Sequence, residues 1–346
     1  MDQAIIGIDR DRVGDWLAEH IDGAEPPFYF ELIVGGRSNL TFEVIGGDGR
    51  RFVLRRPPMG SVLATAHDMA REHTIISAVG LTDVPVAPAL GLCTDEHVNG
   101  APFYVMDFVD GVVLDSPEKA EILAPEVRRA AADNLIDVLA SLHAVDVDAI
   151  GLGELAKRTG YVERQVRRWS TQWEKSRTRD LPAIDEVAEL LARRIPEQHG
   201  VSIAHGDYRF GNCLIDPVTG RIQAVLDWEL CTLGDPLADV GYLGVYWTDP
   251  GDDRDRTNDP TGLEGFPTYA QIVDRYARRT GRDVSDIDYY VAFGSFRLAV
   301  ISEGVYARYV HGAMGDQDID PELLAGFKAG TEQLAESALA AMRRST

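Results

Sequence analysis

The chain changes its pattern once, at Asp110-Gly111. Before that point apolar residues alternate in short runs broken by glycine and proline, and after it they recur at helical spacing. Runs over 28–34, 40–45 and 51–55 predict strands. The second and third are joined by Gly46-Gly47-Asp48-Gly49, a tight-turn sequence that makes them an antiparallel hairpin. A helix over 9–20 precedes them, with Asp9 or Asp11 as N-cap and Val13, Trp16 and Leu17 on one face. A helix carrying Glu72, a connection through Pro85 and Pro88, and a strand pair near 89–108 complete a small, mostly antiparallel sheet with one helix.

Beyond the switch, Val127, Ala131, Leu135, Val138, Leu139 and Leu142 keep helical spacing across 125–145. Short apolar strands at 213–215 and 224–226 flank Asp216-Pro217-Val218-Thr219-Gly220 as a second hairpin, and helices dominate from Pro236 onward. The segment 249–262, rich in Asp, Gly and Pro, reads as an exposed, mobile loop. At 346 residues the chain is long enough for two cores. The expected organisation is α+β, with a smaller lobe over 1–109 and a larger, mainly helical lobe over 110–346.

A formal charge of -22 sets a repulsive field against nucleic-acid backbones and anionic membranes, which argues against both as partners. The three cysteines, Cys93, Cys213 and Cys231, have neither the spacing of a zinc site nor the density of a disulfide scaffold. A reducing cytoplasm fits that usage. Residues 1–11 lack a cationic stretch leading into an apolar core, and no apolar run has the length to cross a bilayer. The expectation is a cytoplasmic protein with no obligate protein partner.

Chemistry concentrates in His205-Gly206-Asp207-Tyr208-Arg209-Phe210-Gly211-Asn212, followed past the second hairpin by Leu226-Asp227-Trp228-Glu229. In kinase-type phosphoryl transfer one Asp accepts the proton of the attacking hydroxyl, an Asn five residues later reaches a metal ion, and a second Asp beyond a hairpin holds Mg²⁺ between the phosphates. Asp207, Asn212 and Asp227 have that spacing. Mg²⁺ takes hard oxygen ligands and keeps several waters, so one carboxylate and one amide suffice. His205 is expected to brace the loop by hydrogen bonding.

A second group lies in the first lobe. Gly35-Gly36-Arg37-Ser38-Asn39, between two strands, is suited to covering phosphates with backbone N–H groups. Arg55 closes the next strand on the face opposite Phe52 and Leu54, where a phosphate-binding cation is expected; Arg56 is the alternative bearer. Glu72 is the candidate to orient that cation, against the plainer reading of a solvated helix charge. Further on, Asp235 before Pro236 predicts a helix start with Asp235 as N-cap and Pro236 as first helical residue, and Asp239 is expected to tie that helix to the Asp207 loop.

Through HGDYRFGN, VLDWE and GDPLADV the chain resembles the aminoglycoside phosphotransferase/choline kinase superfamily. GGRSNLTFEV, FVLRRPP and ARRTGRDVSDIDYYVAF are similar to the branch of phosphotransferase modules linked to acyl-CoA dehydrogenases. The likeness runs from about residue 25 to 330. It implies a bilobal protein-kinase-like fold, a small antiparallel-sheet lobe beside a larger helical one. It also implies ATP and Mg²⁺ as cofactors, with the nucleotide held against 104–109, which includes Met106, Asp107 and Val109. On this reading Gly35, Gly36, Ser38, Asn39, Arg55 and Glu72 bind the nucleotide, Asn212 and Asp227 the metal, and Asp207 serves as base. The family pattern has Lys where this chain has Arg55.

Asp227 is followed within eight residues by the helix start at Asp235, which leaves no room for the peptide-docking segment of a protein kinase. A small-molecule alcohol is therefore the expected substrate, with Trp228, Tyr242, Trp247, Glu303, Tyr306 and Arg308 as candidate walls. The acceptor classes left open are a hydroxyacyl compound, for which Arg297 and Arg308 are available, and a cationic amino alcohol or aminoglycoside. A nucleotide-binding pseudokinase acting through a partner is the alternative from another class.

Overall fold

Alternation of apolar and polar residues about the Gly46–Gly49 turn makes strands, and the computed structural model shows how they assemble. It describes residues 6–33, 39–59, 68–252, 259–311 and 320–345. In chain order the elements are α1 (Arg10–His20), β1 (Tyr29–Leu32), β2 (Leu40–Ile45), β3 (Arg51–Arg56), α2 (Met69–Val79), β4 (Ala89–Cys93), α3 (Glu96–Asn99) and β5 (Phe103–Asp107). There follow α4 (Pro117–Glu121), α5 (Pro125–Ala144), α6 (Tyr161–Ser176), α7 (Pro182–Arg193) and β6 (Ser202–Ala204). The remainder comprises β7 (Cys213–Ile215), β8 (Ile222–Val225), β9 (Thr232–Gly234), α8 (Leu237–Val245), α9 (Tyr269–Thr280), α10 (Ile287–Val310) and α11 (Pro321–Arg344). Two compact units result, one of Met1–Val113, Asp148–Leu152 and Asn212–Leu230, the other of Leu114–Val147, Gly153–Gly211 and Cys231–Thr346.

The first unit is built on a five-stranded antiparallel sheet in the order β1-β2-β3-β5-β4. Period-two alternation decides its two faces. Phe42, Val44, Phe52, Leu54, Phe103 and Val105 point one way and bury against Val13 and Leu17 of α1 and Ile21 just after it. Helix α1 starts where Asp9 accepts the N–H of Arg12. The opposite parity, with Arg55 and Tyr104 as register partners, meets α2. The β7-β8 hairpin also belongs here, through the Val112–Ile215 bridge and a hydrogen bond from the Val225 N–H to the Pro85 carbonyl. Its second strand begins two residues earlier than the apolar pattern predicts.

The second unit is mainly helical. Ala131, Leu135, Val138, Leu139 and Leu142 of α5 are buried along one face, as their spacing predicts. Helix α10 is buried nearly all round and packs on α8 and α11; at Gly241 the α8 backbone lies so close to Tyr290 that a Cβ would stand 2.5 Å from the Tyr290 Cβ. The three-residue strands β6 and β9 pair antiparallel, Ser202 with Gly234, a pairing too short to leave a periodic signal in the sequence. One expectation is corrected: the end of 249–262 is buried. Asp259 accepts the Thr248 hydroxyl and the Thr261 N–H, which pairs the buried Asp259 carboxylate inside the fold. Residues 253–258 lie outside the described residues. Among the described residues no helix is long and apolar enough to cross a membrane.

Candidate active site

In the first unit β3 delivers Arg55 to three carboxylates. Its guanidinium lies 3.3 Å from Glu72, 2.5 Å from Asp227 and 3.8 Å from Glu229. Glu72, from α2, is 2% exposed and also accepts the Tyr104 hydroxyl at 3.1 Å and the Asn39 amide at 3.3 Å. Burial pushes the Glu72 carboxyl up, and Arg55 and Tyr104 hold back part of that rise. Burial opposes the charge of Arg55 as well, but Tyr104, Glu72 and Asp227 outweigh it and hold its proton more tightly than usual. The neighbouring Arg56 has the opposite parity: its guanidinium is spent on the carbonyls of Gly7, Asn99 and Pro57.

The hairpin places the two metal-ligand candidates. Cys213 is paired with Val225, and the Leu226 N–H donates to the Asn212 carbonyl at 2.8 Å, so Asn212 and Asp227 leave the stem at the same end. Asp227 has φ 63°, and among the described residues it alone has a positive φ without being glycine. Aspartate tolerates this left-handed conformation better than most residues. No group of three or more His, Cys, Asp or Glu side chains among the described residues forms a metal cage. The available donors are hard oxygens in small number, a set that fits Mg²⁺.

Sequence reasoning assigned no part to Glu229 or to the Tyr104 side chain. Glu229 follows Asp227 by two residues on a short 3-10 turn and accepts the Asn39 amide at 3.3 Å, so Asn39 links Glu72 to Glu229. The acidic residue in VLDWE was the available signal. Gly35, Gly36 and Ser38, with Arg37, lie outside the described residues. Met106 is buried in β5 between Val53 and Ala89. The Asp107 carboxylate is held by Arg50 at 2.9 Å and its N–H by the Pro88 carbonyl; Val109, two residues on, is half-buried.

In the second unit the Asp207 loop hangs from one buried carboxylate. Asp239, 1% exposed on α8, accepts the His205 N–H at 2.7 Å and the Gly206 N–H at 2.8 Å, as predicted for a residue tying helix to loop. Gly206, at φ 84°, permits the turn that presents both N–H groups. His143 joins Asp239 at 3.2 Å and the Tyr276 hydroxyl at 2.7 Å. Burial acts to raise the Asp239 carboxyl, but His143, His205 and the Gly206 N–H bring it below its ordinary value. The His205 ring braces the loop by accepting the Asp207 N–H at 3.2 Å. Helix α8 starts one residue later than the sequence predicts, with Pro236 as N-cap and Leu237 as first helical residue, and Asp235 accepts the Leu237 N–H from just before it.

The Asp207 carboxylate faces Arg209 at 3.4 Å, whose guanidinium lies over Tyr246. Tyr246 and Tyr242 meet hydroxyl to hydroxyl at 3.4 Å. Several expected substrate walls are structural. The Trp228 and Trp247 indoles are buried and donate to the carbonyls of Val225 and Pro267, and Glu303 is buried against Thr178 and Arg179. Tyr306 lies under Arg179, and Arg308 is exposed. A cavity of about 670 Å³ opens among α8, α9, α10 and α11, but none of its lining residues belongs to either candidate cluster.

A model of a phosphotransferase enzyme family matches residues 30–272. Acyl-CoA dehydrogenase family member 10 of Mus musculus is 36% identical over 282 residues, which cover 80% of this chain and 26% of that protein. The chain spans less than half the length of the curated relatives it matches. A crystal structure from Ralstonia eutropha JMP134, provisionally named an aminoglycoside phosphotransferase, is 35% identical with a TM-score of 0.79, covering 96% of this chain and 98% of that one. A thermostable mutant of the aminoglycoside phosphotransferase APH(4)-Ia, in ternary complex with AMP-PNP and hygromycin B, shares the fold at 16% identity, with a TM-score of 0.59 over 94% of this chain and 98% of its own.

Proposed function

The chain belongs to the phosphotransferase enzyme family, whose model spans most of it, and from that premise we propose that it moves the γ-phosphate of ATP to a hydroxyl group of a small molecule. The observation that carries this reading is Asp227, held in a left-handed backbone conformation at the stem end where Asn212 also leaves, with the Arg55 guanidinium on its carboxylate. Asn212 and Asp227 would hold Mg²⁺, whose charge, when bound, neutralises phosphate oxygens. Arg55, oriented by Glu72, would grip phosphate oxygens with its planar fork. Gly35, Gly36, Ser38 and Asn39 are assigned to covering the phosphates, and Met106, Asp107 and Val109 to the nucleotide base.

Asp207 is assigned the proton. The acceptor oxygen bonds to the γ-phosphorus, the bond from that phosphorus to the bridging oxygen breaks, ADP leaves, and Asp207 takes the hydroxyl proton. The Asp239 clamp on the backbone of residues 205 and 206 holds that carboxylate in place without touching the reaction. Among acceptors, hydroxylated acyl compounds come first, because the curated relatives are named acyl-CoA dehydrogenase family members.

The test is transfer of labelled phosphate from MgATP across a panel of alcohols, with Asp207→Asn alongside. The variant is expected to lose about 10²–10⁴ in rate while keeping the thermal stabilisation that nucleotide confers. Transfer at the wild-type rate in Asp207→Asn would remove Asp207 from the proton step.

A further inference from the structure

The second unit contains a cation that the reaction, as assigned, does not use. Arg297, on α10, is 7% exposed, and its Nε is buried without a hydrogen-bond partner. Its guanidinium lies between two rings, 4.7 Å from the centre of Tyr242 and 5.5 Å from that of Trp169 on α6. The Trp169 indole N–H is also buried and without a partner. A second cation, Arg168, approaches the Trp169 ring at 5.4 Å. Arg209 approaches Tyr246, which in turn touches Tyr242.

Burying a guanidinium without an anion is costly, and ring faces recover only part of the lost hydration. Stacking uses the faces of the guanidinium plane, while its N–H donors radiate in the plane, where they match the two oxygens of a carboxylate or phosphate. Nearby acids are already engaged. Asp207 faces Arg209, Asp239 holds the loop and His143, and Asp235 accepts the His199 N–H and the Tyr290 hydroxyl. A chain of formal charge -22 thus gathers Arg168, Arg209 and Arg297 around Trp169, Tyr242 and Tyr246, with Asp207 as the carboxylate paired within the group.

We propose that Arg297 and the Trp169 indole N–H form a subsite for an anionic group, carboxylate or phosphate, on the alcohol that Asp207 serves. The inference rests on the phosphotransferase reading and deepens it. The acceptor carries its hydroxyl at one end and an oxyanion at the other, and its middle lies along Tyr246 and Tyr242. Arg297 is then a specificity-determining residue that touches substrate away from the reacting atoms.

The experiment compares ω-hydroxy carboxylates of three to six carbons with their neutral amides, with the matching amino alcohols, and with diol monophosphates. Wild type is expected to prefer an anionic member, carboxylate or phosphate, whichever the subsite fits. Arg297→Gln should raise its KM on the order of 10–100-fold, the value of a charge-assisted hydrogen bond. The KM for ATP should change little, and Arg297→Lys should restore part of the preference. Equal use of anionic and neutral members by wild type, or discrimination unchanged in Arg297→Gln, overturns the subsite. A purely structural role would instead lower the melting temperature of Arg297→Gln and leave discrimination intact.

Binding is read separately, from thermal stabilisation by carboxylates that lack the hydroxyl. Stabilisation lost in Arg297→Gln supports the subsite even if no alcohol is phosphorylated, in which case the phosphotransferase reading alone fails. Absence of both stabilisation and anionic preference in wild type overturns the subsite.

Discussion

Replacing Arg55 with alanine strips Glu72 of its cation and leaves it, 2% exposed, with the hydroxyl of Tyr104 and the amide of Asn39. Breaking a buried ion pair from one side costs about 3–5 kcal/mol, because the remaining charge is uncompensated. Glu72 can escape part of that cost by taking a proton, and its carboxyl already lies above the ordinary 4.5 through burial. Losing Arg55 raises it further. Above 4.5 the native variant then keeps a proton that the unfolded chain has released, so its unfolding free energy falls as pH rises. The extra loss relative to wild type should be small near about pH 5. It should grow by up to about 1.36 kcal/mol per pH unit, then level off once native Glu72 ionises. Urea unfolding followed by tryptophan fluorescence from about pH 5 to 8 measures this, and Arg55→Ala/Glu72→Gln should abolish the slope. A loss independent of pH, or largest in acid, would refute the pairing of Arg55 with Glu72.

Asp239→Asn should destabilise the protein by about 2–4 kcal/mol, since the amide turns a donor toward a site where two backbone N–H groups and His143 need an acceptor. The native Asp239 carboxyl lies below 3.8, so its contribution is present above that pH and lost as pH falls toward the native value. The gap between wild type and variant in urea midpoints should therefore narrow in acid, and a constant gap would contradict the clamp. Gly241→Ala should cost about 1–3 kcal/mol, because the new Cβ meets Tyr290 backbone across the α8–α10 crossing; an unchanged melting temperature would show that the helices separate freely.

The elements that local pattern controls were legible early. Asp9 capping α1, the Gly46–Gly49 turn, the apolar stripe of α5 and the short hairpin after Asn212 each rest on periods of two or 3.6 residues, or on turn chemistry confined to a few positions. Asp207, Asn212 and Asp227 stand out for the same reason, since their spacing is a property of one stretch of chain. Strand alternation also separates Arg55 from Arg56 once the parity of Phe52 and Leu54 is known.

Only the tertiary structure decided what each charge meets. Arg55 and Asp227 are 172 positions apart, and Asn39 and Glu229 are 190 apart. No periodicity spans such distances, and these pairs form because the sheet, α2 and the hairpin pack into one unit. The same holds for Trp228 and Trp247, whose indoles read as substrate walls but are consumed by nearby carbonyls inside the core. It holds most of all for Arg297, one cation on a helix that is buried nearly all round. That its Nε is buried without a partner follows from how α6, α8 and α10 pack, because burial and satisfaction of a polar group depend on every element around it.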